Sequence, residues 1–113
     1  MMEITSTGNC LIVKIKGDID AESVKKVRNK IDVEYDSVMA KDIIFDMTNV
    51  NFMDSTGIGM IIGRYKKVAI MNGSVKIVGA SERMKRIIAL SGLGKIVKIY
   101  ESINAAIGKD RVR

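Results

Sequence analysis

The stretch NFMDSTGIGMIIGRYKK, residues 51–67, decides the fold, because a hydrophobic strand must turn into a helix at a junction built from hydroxyl residues and glycines. Asp54 or Ser55 is placed to cap that helix, so Thr56 falls in the first turn, where backbone N–H groups lack intrahelical partners. Glycine beside a positive helix end suits an anion. Three readings stay open for this junction: a bound nucleotide phosphate, a phosphate attached to Thr56 or Ser55, or hydroxyls that merely close the helix end. The run TGIG, residues 56–59, fits neither GxGxxG nor GxxxxGK[ST], so the residues do not indicate a dedicated nucleotide site.

The helix itself can be divided into faces at 100° per residue. Ile58, Ile61, Ile62, Tyr65 and Ala69 fall on one side and are expected to pack on a sheet. Thr56, Met60, Gly63 and Lys67 then lie opposite, with Met60 as an apolar residue outside the core. Gly59 and Gly63 each cost about 1 kcal/mol of helix propensity relative to alanine. Small residues let another backbone approach and methionine supplies an adaptable surface, so this ridge is either a partner contact or close packing within the domain.

Outward from the junction, strand and helix patterns alternate. Residues 2–6 read as a strand turned by TGN (7–9) into CLIVKIKG (10–17), where Leu11, Val13 and Ile15 alternate with Ile12, Lys14 and Lys16. Val24, Val27, Ile31, Tyr35 and Val38 then recur at helical spacing, with Asp20 as the cap. Residues 42–47 (DIIFDM) are apolar enough for a strand covered on both faces. After residues 51–67 come a strand at SVKIVG (74–79), a helix at 81–92 capped by Ser81 and stopped at Gly92, a strand at KIVKIY (95–100), and a short helix at 102–108. The expectation is one α/β domain over residues 1–113, with a mostly parallel open sheet of about five strands, four helices and an N-terminal β-hairpin.

Composition narrows the chemistry. The 113 residues include no histidine, which removes Ser-His-Asp and Cys-His activation, HExxH zinc binding and histidine phosphotransfer. A single cysteine, Cys10, allows no internal disulfide and no multi-cysteine metal site, and it reads as a small strand residue. Neither a metal nor a cofactor is expected. No apolar run approaches the ~20 residues of a membrane span, and MMEITSTGNC lacks the regions of a signal peptide, so a cytosolic protein is expected. The net charge of +6 is uneven: residues 1–63 carry −3 and residues 64–113 carry +9. That basic half is either a solvated surface or a field steering toward an acidic partner or nucleic acid. With three Tyr, two Phe and no Trp, the aromatic platforms of many single-strand binders are missing.

FMDSTGIGMIIGRYKKV (52–68) resembles the signature of the STAS-domain anti-sigma factor antagonists, an apolar pair followed by D-S-S-G-[LIV]-G and a helix ending near R-Y-K. KGDIDAES (16–23) is similar to the family's G-E-L-D-x-x-[ST] segment, and MKRIIALSGLGKIVKIYESINAAI (84–107) resembles its third helix, last strand and last helix. The likeness covers essentially the whole chain, and GRYK (63–66) is most like the sporulation members. The resemblance implies a non-enzymatic regulator. Unmodified, it would bind an anti-sigma factor that is also a serine/threonine kinase, and so indirectly free a sigma factor. That kinase would then phosphorylate the hydroxyl residue before the glycine, which is Thr56 here, with Ser55 as the alternative. A metal-dependent serine phosphatase would reset it. Family members commonly have serine at this position, and the methyl group of threonine could slow either enzyme. The partner-binding residues so implied are Asp20, Asp54, Ser55, Gly57, Gly59, Met60, Gly63 and Lys67. Rival readings are a STAS module of a general stress-response or other partner-switching pathway, a small nucleotide-binding protein, and a nucleic-acid binder resting on the basic half alone.

Overall fold

The computed structural model describes residues 2–108. Strands β1 (Met2–Thr7) and β2 (Cys10–Lys16) form an antiparallel hairpin, closed by a two-residue turn in which Gly8 takes φ 58°. That left-handed value suits a residue without Cβ. Strands β3 (Asp42–Asn49), β4 (Val75–Val78) and β5 (Lys98–Tyr100) are added in parallel, so the spatial order repeats the chain order. Parallel neighbours need crossovers, supplied by α1 (Ala21–Val38), α2 (Ser55–Ala69) and α3 (Glu82–Ser91). Right-handed crossovers that always step the same way put all three helices on one face. The short α4 (Ile103–Ala106) follows the last strand and covers the other.

Strand alternation divides the core accordingly. Leu11, Val13, Ile15, Ile43, Phe45, Met47, Val75 and Ile77 point toward α1–α3 and meet Val27, Ile31, Ile61, Met84 and Ile88. Ile12, Ile44 and Val78 point the other way and meet Ala106. Strand β3 is thus covered on both sides, as its composition predicts, and its one buried acid, Asp46, accepts hydrogen bonds from the amide and hydroxyl of Thr48. The lone thiol, Cys10, lies in the second layer, where burial pushes its pKa up and keeps it protonated.

Caps follow the sequence closely. Asp20 accepts from the amides of Glu22 and Ser23, while Ser23 accepts from the Asp20 amide. Ser81 caps α3, and Gly92 ends it at φ 81°. The last strand is shorter than its apolar pattern predicts. Once Gly92 has turned the chain, Leu93–Lys95 continues as a 3₁₀ turn that buries Leu93, and pairing with β4 begins only at Lys98.

The predicted faces of α2 need correction. Its buried residues are Gly57, Met60, Ile61, Arg64 and Val68, while Ile58, Ile62 and Tyr65 are only partly buried and Ala69 is exposed. Met60 is 4% exposed and belongs to the core instead of lying outside it. The reason is that α2 packs against α1 as well as the sheet. The buried stripe is therefore rotated from the centre of its hydrophobicity, and an arginine stem takes part in it. Val38 also proves exposed, at the end of α1.

Candidate functional site

The α2 N-terminus sits beside the α1 N-terminus because the segments before them run in parallel. Ile19 and Met53 form an isolated bridge, the Ile19 amide donates to the Phe52 carbonyl (2.9 Å), and the Asp54 amide donates to the Ile19 carbonyl (3.1 Å). Gly57 makes this approach possible. A Cβ there would lie 2.5 Å from Met53 Cγ and 2.7 Å from Ile19 Cγ2, so only glycine lets the first turn of α2 settle on that bridge. Gly57 is accordingly buried.

Asp54, and not Ser55, is the helix cap. Its Oδ1 accepts from the amides of Thr56 (2.9 Å) and Gly57 (3.2 Å) and from the Thr56 hydroxyl (2.5 Å). The Thr56 hydroxyl, then the Gly57, Thr56 and Ala21 amides, hold the Asp54 carboxyl below its ordinary range. It is thus ionised at neutral pH. Ser55 and Thr56 are both exposed, as is Phe52 (43%) just ahead of the cap. Phe52 is a large apolar surface residue that helical periodicity does not single out, since it precedes the helix.

A groove of about 420 Å³ runs between α1 and α2, lined by Val24, Lys25 and Arg28 on one side and Thr56, Gly59, Met60, Gly63 and Arg64 on the other. Gly59 is exposed and Gly63 half-buried, and a Cβ at either would meet nothing within 4 Å. Small residues here keep the groove open. Met60 reaches its floor while belonging to the core.

Lys67, expected to face a partner, is engaged by α1. Its Nζ lies 3.2 Å from Asp36 Oδ1 and 4.0 Å from Asp32 Oδ1, and 5.9 Å from the Tyr35 ring centre. Arg64 packs deeper: 8% exposed, it has Nε 3.0 Å from Asp32 Oδ1 in an ion pair without hydrogen-bond direction. Burial lowers its pKa most, Asp32 opposes this, and Arg28 adds to it. Sequence reasoning singled out neither Arg28 nor Lys25. Their one signal is position, three apart on the α1 flank that meets α2.

The structure therefore brings Thr56, Gly59, Met60 and Gly63 onto one groove, whereas Asp20, Asp54 and Ser55 lie at the starts of α1 and α2 and Lys67 pairs with α1, none of them lining it. Among the described residues no group of three or more His, Cys, Asp or Glu could hold a metal ion, and no helix is long and apolar enough to cross a membrane.

The model of the STAS domain matches residues 1–106 of this chain. The chain is 33% identical over 96 residues to the anti-sigma F factor antagonist of Paenibacillus polymyxa, covering 84% of this chain and 82% of that one. It is 32% identical over 98 residues to the anti-sigma-B factor antagonist of Bacillus subtilis, covering 87% and 88%. Its fold is similar to that of the anti-sigma factor antagonist SpoIIAA in its unphosphorylated form, with a TM-score of 0.85, 22% identity and full coverage of both chains.

Proposed function

This chain belongs to the STAS domain family, and on that premise we propose that it is a cytosolic anti-sigma factor antagonist switched by phosphorylation of Thr56. The unmodified protein docks on an anti-sigma factor with serine/threonine kinase activity through the α1–α2 groove and the loops at its mouth. Docking frees a sigma factor held by that partner. The kinase then transfers the γ-phosphate of its own ATP to Thr56 Oγ1, the hydroxyl proton goes to solvent, and ADP leaves. A metal-dependent serine phosphatase removes the phosphate. The sporulation pathway is preferred to a stress-response pathway on the strength of the GRYK run at the end of α2 and the relative named for sigma F.

The observation that carries this reading is the setting of Thr56. It is exposed at the first turn of a helix whose cap, Asp54, already holds its hydroxyl and its amide. Phosphate there suits the helix dipole, so the fold tolerates it. It also adds about −1.5 to −2 charge next to the Asp54 carboxylate, with the Asp20 side chain capping the neighbouring helix, at a surface a partner must cover. Burying that charge without a counter-ion costs several kcal/mol.

The test is incubation with a cognate kinase and ATP, followed by mass-spectrometric mapping. One phosphate is expected on Thr56, and Thr56→Ala is expected to bind the kinase as tightly as the parent while taking up none. Undiminished labelling of Thr56→Ala, or a phosphate mapped to Ser55, would overturn the assignment.

A further inference from the structure

The groove between α1 and α2 is charged in one sense only. Each charged side chain lining it is a cation: Lys25 and Arg28 from α1, and Arg64 from α2. Nearby carboxylates are already committed. Asp32 pairs with Arg64 and lies at the limit of an ion pair with Lys67, and Asp36 pairs with Lys67. No ion pair among the described residues engages Lys25 or Arg28. Arg64 is 92% buried, yet its Nη1 is enclosed without an acceptor and its Nε is poorly directed at Asp32. Arg64 has Asp32 as its counter-ion, but Lys25 and Arg28 have none among the described residues, and Arg28 lies near enough to disfavour the Arg64 charge, so the groove can take one more anion.

From this geometry we infer that the anion is the phosphate carried by Thr56 itself, captured by Lys25 and Arg28 across the groove, with the Arg64 charge beneath. This deepens the reading of Thr56 as the phosphorylated residue and rests on it. Two observations favour an attached group over a free one. Thr56 forms part of the groove wall, so an ester on Oγ1 is delivered at high effective concentration. Phosphorylation also destroys the hydrogen bond that now holds Oγ1, because the ester has no proton to donate to Asp54. Attraction on that side becomes repulsion between two anions, and threonine has few χ1 positions to choose from. The side chain turns from the carboxylate toward the cations.

Capture gives the switch a second component. The phosphate adds charge to the docking surface and also fills the groove, bridging α1 to α2. The carboxylates at the two helix starts, Asp54 at the α2 cap and Asp20 and Glu22 at the start of α1, oppose the groove cations Lys25, Arg28 and Arg64. Its second ionisation reports which set prevails.

The experiment installs phosphothreonine at position 56 during translation, so it needs no kinase, and follows the second ionisation of the phosphate by ³¹P NMR. A protein that the kinase fails to modify would defeat the proposed function and leave this titration standing. Capture predicts ionisation below the value of about 6 for an unconstrained phosphate monoester, and a rise of about half to one unit in Lys25→Ala/Arg28→Ala. The exposed positions of both residues keep that variant folded, and Lys25→Arg/Arg28→Lys is expected to keep the depressed value. Ionisation at or above about 6 in the parent, or a value that the double alanine variant leaves unmoved, would overturn capture. In a second arm, inorganic phosphate is added to the unmodified protein. No change in melting temperature beyond that caused by chloride of equal ionic strength is expected. A phosphate-specific rise abolished in Lys25→Ala/Arg28→Ala would assign the groove to a free anion instead.

Discussion

Gly63→Glu is expected to weaken binding to the anti-sigma partner by at least about a hundredfold, while the domain melts at or above the temperature of the parent. The helix has room for the new side chain, since a Cβ at Gly63 would meet nothing within 4 Å. Replacing a mid-helix glycine recovers up to about 1 kcal/mol of propensity, and the added carboxylate lies beside Arg28 and Arg64. The same carboxylate fills the groove that docking requires. A hundredfold loss corresponds to about 2.7 kcal/mol, within the cost of closing an interface over a charge it was not built to receive. Titration calorimetry with the purified partner, paired with a melt, separates the two effects. Unchanged affinity in the folded variant would show that this ridge is not the contact.

Gly73→Ala is expected to be the most damaging single-methyl change in the α2–β4 connection, lowering stability by about 3 kcal/mol. A Cβ at Gly73 would lie 1.9 Å from the Lys41 carbonyl oxygen and 3.1 Å from that of Val68, and both obstacles are backbone. The same turn is fixed by the Gly73 amide donating to Val68 O at 2.8 Å and by the Ser74 amide donating to Asp42 at 2.8 Å. The chain cannot retreat without unpairing the start of β3. Gly59→Ala is the control, on an exposed helical position with open space around its Cβ, and should be neutral or stabilising by up to about 1 kcal/mol. Chemical denaturation distinguishes the pair, and equal midpoints for Gly73→Ala and the parent would refute the close approach.

Much of this fold is legible in the sequence because local rules agree with the global arrangement. The alternation of Leu11, Val13 and Ile15 sets the face of β2, the Asp20 and Ser81 side chains mark helix starts, and the short strand–helix repeats leave few topologies. The faces of α2 were not legible. A helical wheel ranks residues by hydrophobicity, which centres the stripe on Ile58, Ile62 and Tyr65, whereas the helix is rotated by contacts that hydrophobicity does not encode. Gly57 is buried because it lacks a side chain, and Arg64 because Asp32 lies across from it. Met60, which the wheel puts outside the core, is buried for the same reason.

The candidate site divides in the same way. The place of Thr56 in the first turn is legible, but the sequence leaves both Asp54 and Ser55 open as the cap, and only the hydrogen bonds to Asp54 select between them. Lys25 and Arg28 were not legible, because they belong to another helix, and their meeting with Thr56 depends on how α1 crosses α2. Lys67 read as free on its own helix, yet Asp32 and Asp36 are brought to it by the same crossing.

The central claim is that adding charge at Thr56 turns a docking surface into a rejecting one. Its most direct measurement is the Kd of the anti-sigma kinase for protein carrying phosphothreonine at position 56, set against the Kd for the unmodified protein under the same nucleotide and salt conditions. The account predicts binding weaker by about a hundred- to a thousandfold, corresponding to about 3 to 4 kcal/mol. Equal constants for the two forms would contradict it.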